Sequence, residues 1–128
     1  MLIAIDFDGT CCTHEYPEIG KDIGAIPILK RLVAEGHRLI LWTMRSGEYK
    51  QAALDWLRAQ GVMIESDDDA ALKAQREWTQ SSKLYAHLYI DDAAMGTPLV
   101  YPVMGRPFVD WKHMERLLGV RGFLKEEQ

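Results

Sequence analysis

The sequence is short of everything that would staple, anchor or extend it. Its only cysteines, Cys11 and Cys12, are neighbours and cannot tie distant segments together, which suits a reducing cytoplasm. Positive charge is in deficit. Fifteen Lys and Arg against 19 Asp and Glu leave a net charge of −4, which argues against a generic polyanion binder and disfavours nucleic acid. A small phosphorylated substrate needs only one or two local cations and is not excluded. Long apolar runs are missing too: the opening Met1-Leu2-Ile3-Ala4-Ile5 meets Asp6 at once, so it reads as neither a signal peptide nor a membrane span. The four histidines, His14, His37, His87 and His113, are scattered without metal-ligand spacing. No internal repeat, linker or low-complexity tract is visible. What remains is 128 residues, 48% of them hydrophobic, which predicts one globular domain over residues 1–128.

Apolar runs alternate with helical patterns along this length. Residues 2–7 read as a strand buried on both faces and ending in acids, followed by an ordered loop over residues 9–24. A helix opens near Pro27, carries Leu29, Leu32 and Val33 on one face and ends at Gly36. Residues 39–42 predict a second strand that stops at Thr43. Ser46 reads as an N-cap with Glu48 in the first turn; Tyr49, Ala52, Ala53, Trp56 and Leu57 recur at helical spacing up to Gly61. A short third strand is expected over residues 62–64. Asp67, Asp68 and Asp69 read as a solvated helix start, with helix expected around residues 70–78 or 82–85. Residues 88–90 form a fourth strand running into Asp91 and Asp92. Asp110 reads as an N-cap, with Val109 and Met114 spaced for a hydrophobic staple, and residues 125–128 as a frayed tail. Trp42, Trp56, Trp78 and Trp111 are expected in the core. The alternation predicts an α/β fold, a three-layer α/β/α arrangement around a parallel sheet.

Polar residues of one kind end these strands: Asp6 and Asp8 after the first, Thr43 after the second, Asp91 and Asp92 after the fourth. Ligands of open α/β sheets bind beyond the carboxyl ends of the strands. Carboxylates converging there repel one another unless a cation lies between them, and Mg2+ is the hard ion that suits such oxygens. Such a site invites phosphoryl transfer. Asp6 would attack phosphorus and form an acyl-phosphate. Asp8, on the same side of an extended chain, would protonate the leaving alcohol and then activate water. Thr43 would offer its hydroxyl to the phosphate, and Lys83 would neutralise its charge, with Lys73 as runner-up. Arg45 either reaches the phosphate or solvates the turn. Cys11 and Cys12 are expected to pack or line the mouth of the site, and His14 and Tyr16 to lie at its entrance.

Asp6-Phe7-Asp8-Gly9-Thr10 resembles the first signature of the haloacid dehalogenase-like (HAD) hydrolase superfamily. Residues 39–43 resemble its second, Lys83 its third and residues 88–92 its fourth. The resemblance implies a Rossmann-like core, Mg2+ dependence and an aspartyl-phosphate intermediate. It also implies a metal held by the Asp6 carboxylate, the Asp8 backbone carbonyl and Asp92, with Asp91 in support. Members often carry a cap domain, for which neither residues 9–24 nor residues 46–82 leave room, so a capless core of strand order 4-1-2-3 is expected. Residues 93–98 are too few for a helical crossover, so any strand over residues 99–101 is no ordinary parallel neighbour. The expected activity is a phosphatase acting on a phosphate monoester. Its open site would be served by a bulky substrate or covered by a neighbouring subunit of a homo-oligomer. A receiver-like phospho-aspartate domain is the competitor, but it would place the acidic pair first. An idle Mg2+- and phosphate-binding module is the other.

Overall fold

The computed structural model describes residues 1–68 and 70–125. Four strands, β1 (Leu2–Ile5), β2 (Arg38–Leu41), β3 (Ile64–Ser66) and β4 (Leu88–Ile90), form one parallel sheet. Their order, β3-β2-β1-β4, is the expected 4-1-2-3 read from the other edge. β1 is central and almost wholly apolar because neighbours pair on both sides and layers cover both faces.

The two layers are unequal. On one face Ile3, Ile5, Phe7, Leu39, Leu41 and Ile90 pack against α1 (Ala25–Ala34), α2 (Gly47–Ala59) and α4 (Trp111–Val120). The other face buries Ala4 and Ile40 beneath Leu84, with the short helix α3 (Ala70–Gln75) contributing Ala71 and Leu72. Gln75 organises this thinner layer. Buried, it donates to the Lys83 carbonyl at 2.6 Å and accepts the Tyr85 N–H at 2.8 Å, so residues 82–85 run as a tied loop, not the alternative helix. Among the described residues no cap domain interrupts the core, as expected.

Helix ends explain most of the agreement and one shift. α1 begins two residues before Pro27, which therefore still lies in the first turn. It closes where His37 N–H reaches the Leu32 carbonyl beyond Gly36. α2 follows Ser46, whose side chain makes no capping bond. At its other end Val62 N–H bonds the Leu57 carbonyl, so Val62 finishes the helix and β3 starts at Ile64, two residues later than expected. Asp110 caps α4 by accepting the His113 N–H at 3.2 Å, and Val109 and Met114 are both buried. Trp111 is buried and Trp42 and Trp56 pack at its margins. Trp78 departs from expectation: α3 has already ended, and the ring stands 66% exposed, edge-on to Tyr85. Asp69 and residues 126–128 of the expected tail lie outside the described residues.

The question left by residues 93–98 is resolved by a second, separate sheet. β5 (Leu99–Val100) pairs antiparallel with β6 (Phe108–Val109), apart from the parallel four. Val109 N–H then bonds the Gly9 carbonyl at 2.9 Å, which docks this hairpin on the loop after β1. Among the described residues no helix is long and apolar enough to cross a membrane.

Candidate active site

The ladders on both sides of β1 continue one residue past its end. Asp6 N–H bonds the Ile90 carbonyl at 3.0 Å, and Trp42 N–H bonds the Ile5 carbonyl at 2.8 Å. Asp6 therefore leaves the sheet between the ends of β4 and β2. There a carboxylate oxygen from each of Asp6, Asp91 and Asp92 lies within 4.8 Å of the others, all three side chains partly buried. Thr10 binds two of them together. Its hydroxyl donates to Asp6 Oδ2 at 2.9 Å and accepts the Asp92 N–H at 3.0 Å. His14 Nε2 stands 2.9 Å from Asp92 Oδ2, and Asp91 Oδ1 accepts the Ala93 N–H.

A tight turn makes this convergence possible. The Phe7 carbonyl accepts the N–H groups of Thr10 and Cys11 at 3.0 and 2.7 Å, with Gly9 at φ +81° between them. A Cβ on Gly9 would lie 2.0 Å from His14 Nε2 and 2.5 Å from Asp92 Oδ2, so both the backbone conformation and the space require glycine. The turn is held from outside by Trp111, whose indole N–H donates to the Thr10 carbonyl at 2.6 Å. Trp111, 101 residues from Thr10, had no local mark of this role; only its place after the Asp110 cap was legible. Cys11 donates its S–H to the Asp6 carbonyl. Burial pushes the Cys11 thiol well up and the Cys12 thiol to about 11, so both are packed thiols at neutral pH.

Apart from the His14 contact to Asp92, the three acids have no basic partner among the described residues. Burial, then the charge of Asp91, then contact with Asp92 push the Asp6 carboxyl up to about 8. Asp91 is raised as well, first by burial and then by Asp92. Among the described residues no lysine or arginine pairs with any of the three. An all-oxygen set of this kind fits a hard divalent cation, which would restore the ionised form of Asp6.

Asp8, two residues on, has the opposite surroundings. Both its oxygens accept from the Arg45 guanidinium, Nε and Nη2 each at 2.8 Å. Arg45 also donates to the carbonyls of Pro17, Glu18 and Tyr49, and its Cζ lies 5.0 Å from the Phe7 ring centre and 5.1 Å from that of Tyr16. Its side chain is 1% exposed. This corrects the sequence-based expectation: Arg45 neither reaches outward for a phosphate nor solvates a turn, because its donors are consumed by Asp8 and three carbonyls.

Thr43 stands at the end of β2 beside this pair. Its hydroxyl accepts the Arg45 N–H at 3.1 Å, which leaves its own proton to donate elsewhere. Lys83 is placed differently from its expected role. It is exposed, and its ammonium lies 5.4 Å from the centre of the Tyr89 ring rather than on an acid of the cluster. Lys73 is exposed on α3. Asp67 and Asp68 share the single ammonium of Lys50, apart from the acidic cluster.

No protein-family model and no curated protein matches the chain. A solved structure does. A conserved protein from Bacteroides thetaiotaomicron is 38% identical and superposes with a TM-score of 0.75, the match covering 94% of this chain and 91% of that one.

Proposed function

The chain belongs to the family of that conserved Bacteroides thetaiotaomicron protein, and we propose that it is a Mg2+-dependent phosphatase that hydrolyses a phosphate monoester through Asp6. The observation that carries the reading is the convergence of Asp6, Asp91 and Asp92 at the carboxyl edge of the sheet, with Thr43 on the neighbouring strand end. It agrees with the resemblance of the Asp6–Thr10 segment to the HAD hydrolases. Asp6, the Asp8 backbone carbonyl and Asp92, with Asp91 in support, would hold the metal. Bound there, Mg2+ offsets the carboxylates' mutual repulsion and the charge of the phosphate oxygens.

In the first step an Asp6 carboxylate oxygen forms a bond to phosphorus while the bond from phosphorus to the leaving oxygen breaks. Asp8, released from Arg45 and protonated from solvent, gives its proton to the leaving oxygen. In the second step Asp8 removes a proton from water, whose oxygen attacks the phosphorus and frees Asp6. Thr43 donates its hydroxyl proton to a non-bridging phosphate oxygen. Asp8 can serve only after an oxygen is released from Arg45, so rearrangement of that pair belongs to the reaction. Turnover of an aryl phosphate with Mg2+ tests the assignment. The parent protein should hydrolyse it and Asp6→Asn should not; equal rates would overturn it.

One observation favours a second reading. A carboxylate held on both oxygens by a buried guanidinium is well suited to a fixed Mg2+- and phosphate-binding module without turnover. Saturable Mg2+ and phosphate binding with no hydrolysis would select it.

A further inference from the structure

Above the Arg45–Asp8 pair lies a feature that the chemistry has not used. Tyr16 stacks on the Arg45 guanidinium, and Tyr49, near the start of α2, meets Tyr16 edge-on with ring centres 5.6 Å apart. Arg45 is nearly sealed, yet Tyr16 is 60% exposed and Tyr49 40%. Their outer faces remain open to solvent. The Tyr49 main chain is itself fixed by Arg45, which donates to its carbonyl, and Tyr16 sits on the loop whose Pro17 and Glu18 carbonyls the same guanidinium holds. Two exposed aromatic faces are thus tied to the residue that positions the candidate acid. Among the described residues neither phenol makes a hydrogen bond, and the Tyr16 ring contacts both the Tyr49 ring and the guanidinium.

We propose that Tyr16 and Tyr49 form the leaving-group wall of the site and select phosphate monoesters whose alcohol carries a planar ring, such as aryl or nucleoside phosphates. The proposal rests on the phosphatase reading for the position of the phosphate. Its physics is ordinary: a flat π face is attracted to aromatic rings in edge or offset geometry, and a rigid pair costs little entropy to use. Asp8 faces the leaving oxygen in that reading, and the rings occupy the layer next to Asp8's partner. The other exposed aromatic pair, Trp78 and Tyr85, borders a groove with Leu2 at the amino ends of the strands and takes no part.

Binding of three phosphonates, which cannot be hydrolysed, tests this without turnover. Phenylphosphonate, cyclohexylphosphonate and methylphosphonate are titrated against the full chain with Mg2+. The parent should bind the phenyl compound about tenfold more tightly than the methyl one, and more tightly than the cyclohexyl one. Tyr16→Leu combined with Tyr49→Leu should erase the phenyl preference, and the corresponding Phe variants should keep it. Equal affinity for phenyl and methyl compounds in the parent, or a preference that survives both leucines, would overturn the wall and leave the phosphatase reading standing. Absence of binding by all three would overturn both.

Discussion

Asp6 and Asp8 leave the same strand two residues apart, and their carboxyls end in opposite electrostatic surroundings. Asp8 is neutralised from within: a buried arginine grips both its oxygens and is itself satisfied by three carbonyls and two rings. The Asp6 carboxyl faces two more acids and, among the described residues, accepts from a threonine hydroxyl and from no basic side chain. A fold able to bury an arginine beside one aspartate has left the next one with like charges. The difference argues that the charge missing at Asp6 arrives with a ligand. It also separates two kinds of loss on mutation, one of chemistry and one of structure.

The largest expected effect falls on chemistry. Asp6→Asn should lower phosphatase turnover by about a thousandfold or more, read by aryl phosphate hydrolysis with Mg2+. It should leave the protein folded, because the amide keeps the Thr10 contact and removes a charge from among acids.

Arg45→Ala should do the reverse kind of damage. It strands a carboxylate that is only 19% exposed and frees the loop bearing Pro17 and Glu18, so a loss of about 3 kcal/mol of stability is expected in denaturant unfolding. Were Arg45→Ala harmless to stability and Asp6→Asn severe, the contrast between the two aspartates would be inverted.

Next comes Gly9→Ala. A methyl group there meets His14 and Asp92 and demands a left-handed conformation, so about 2 kcal/mol of destabilisation is expected, together with weakened Mg2+ binding in a metal titration. The smallest effect is that of Trp111→Phe, which keeps an aromatic ring at the position and removes the bond to the Thr10 carbonyl. About 1 kcal/mol in chemical unfolding is expected.

Much of this architecture was readable because the relevant signals are local. Acids placed directly after apolar runs located Asp6, Asp91 and Asp92 at strand ends, and β4 was found at residues 88–90 because an uninterrupted apolar triplet meets two aspartates there. The Asp6–Thr10 segment is legible as a resemblance, whereas its turn rests on the Phe7 carbonyl accepting two N–H groups. What escaped depends on contacts far apart in the chain. Arg45 was weighed against a phosphate, although its true partner is 37 residues earlier; no periodicity encodes that pair. Gln75 and Trp111 likewise act on backbone groups that sequence spacing cannot bring beside them. The two-residue shift of β3 came from a helix terminator that outcompeted strand pairing at Val62. Lys83 was assigned by order along the chain, whereas the loop tied by Gln75 places it over Tyr89.

Thermal unfolding across pH 5–9, with chelator and with Mg2+, tests the central claim most directly. A group whose carboxyl is raised to about 8 in the folded protein, against 3.8 ordinarily, stabilises the fold fully below about pH 4 and loses that contribution as pH rises through about 8. The account therefore predicts a melting temperature that falls with rising pH in chelator, a fall removed by Mg2+ and smaller in Asp6→Asn, where the raised Asp91 carboxyl remains. Identical pH profiles with and without Mg2+ would contradict it.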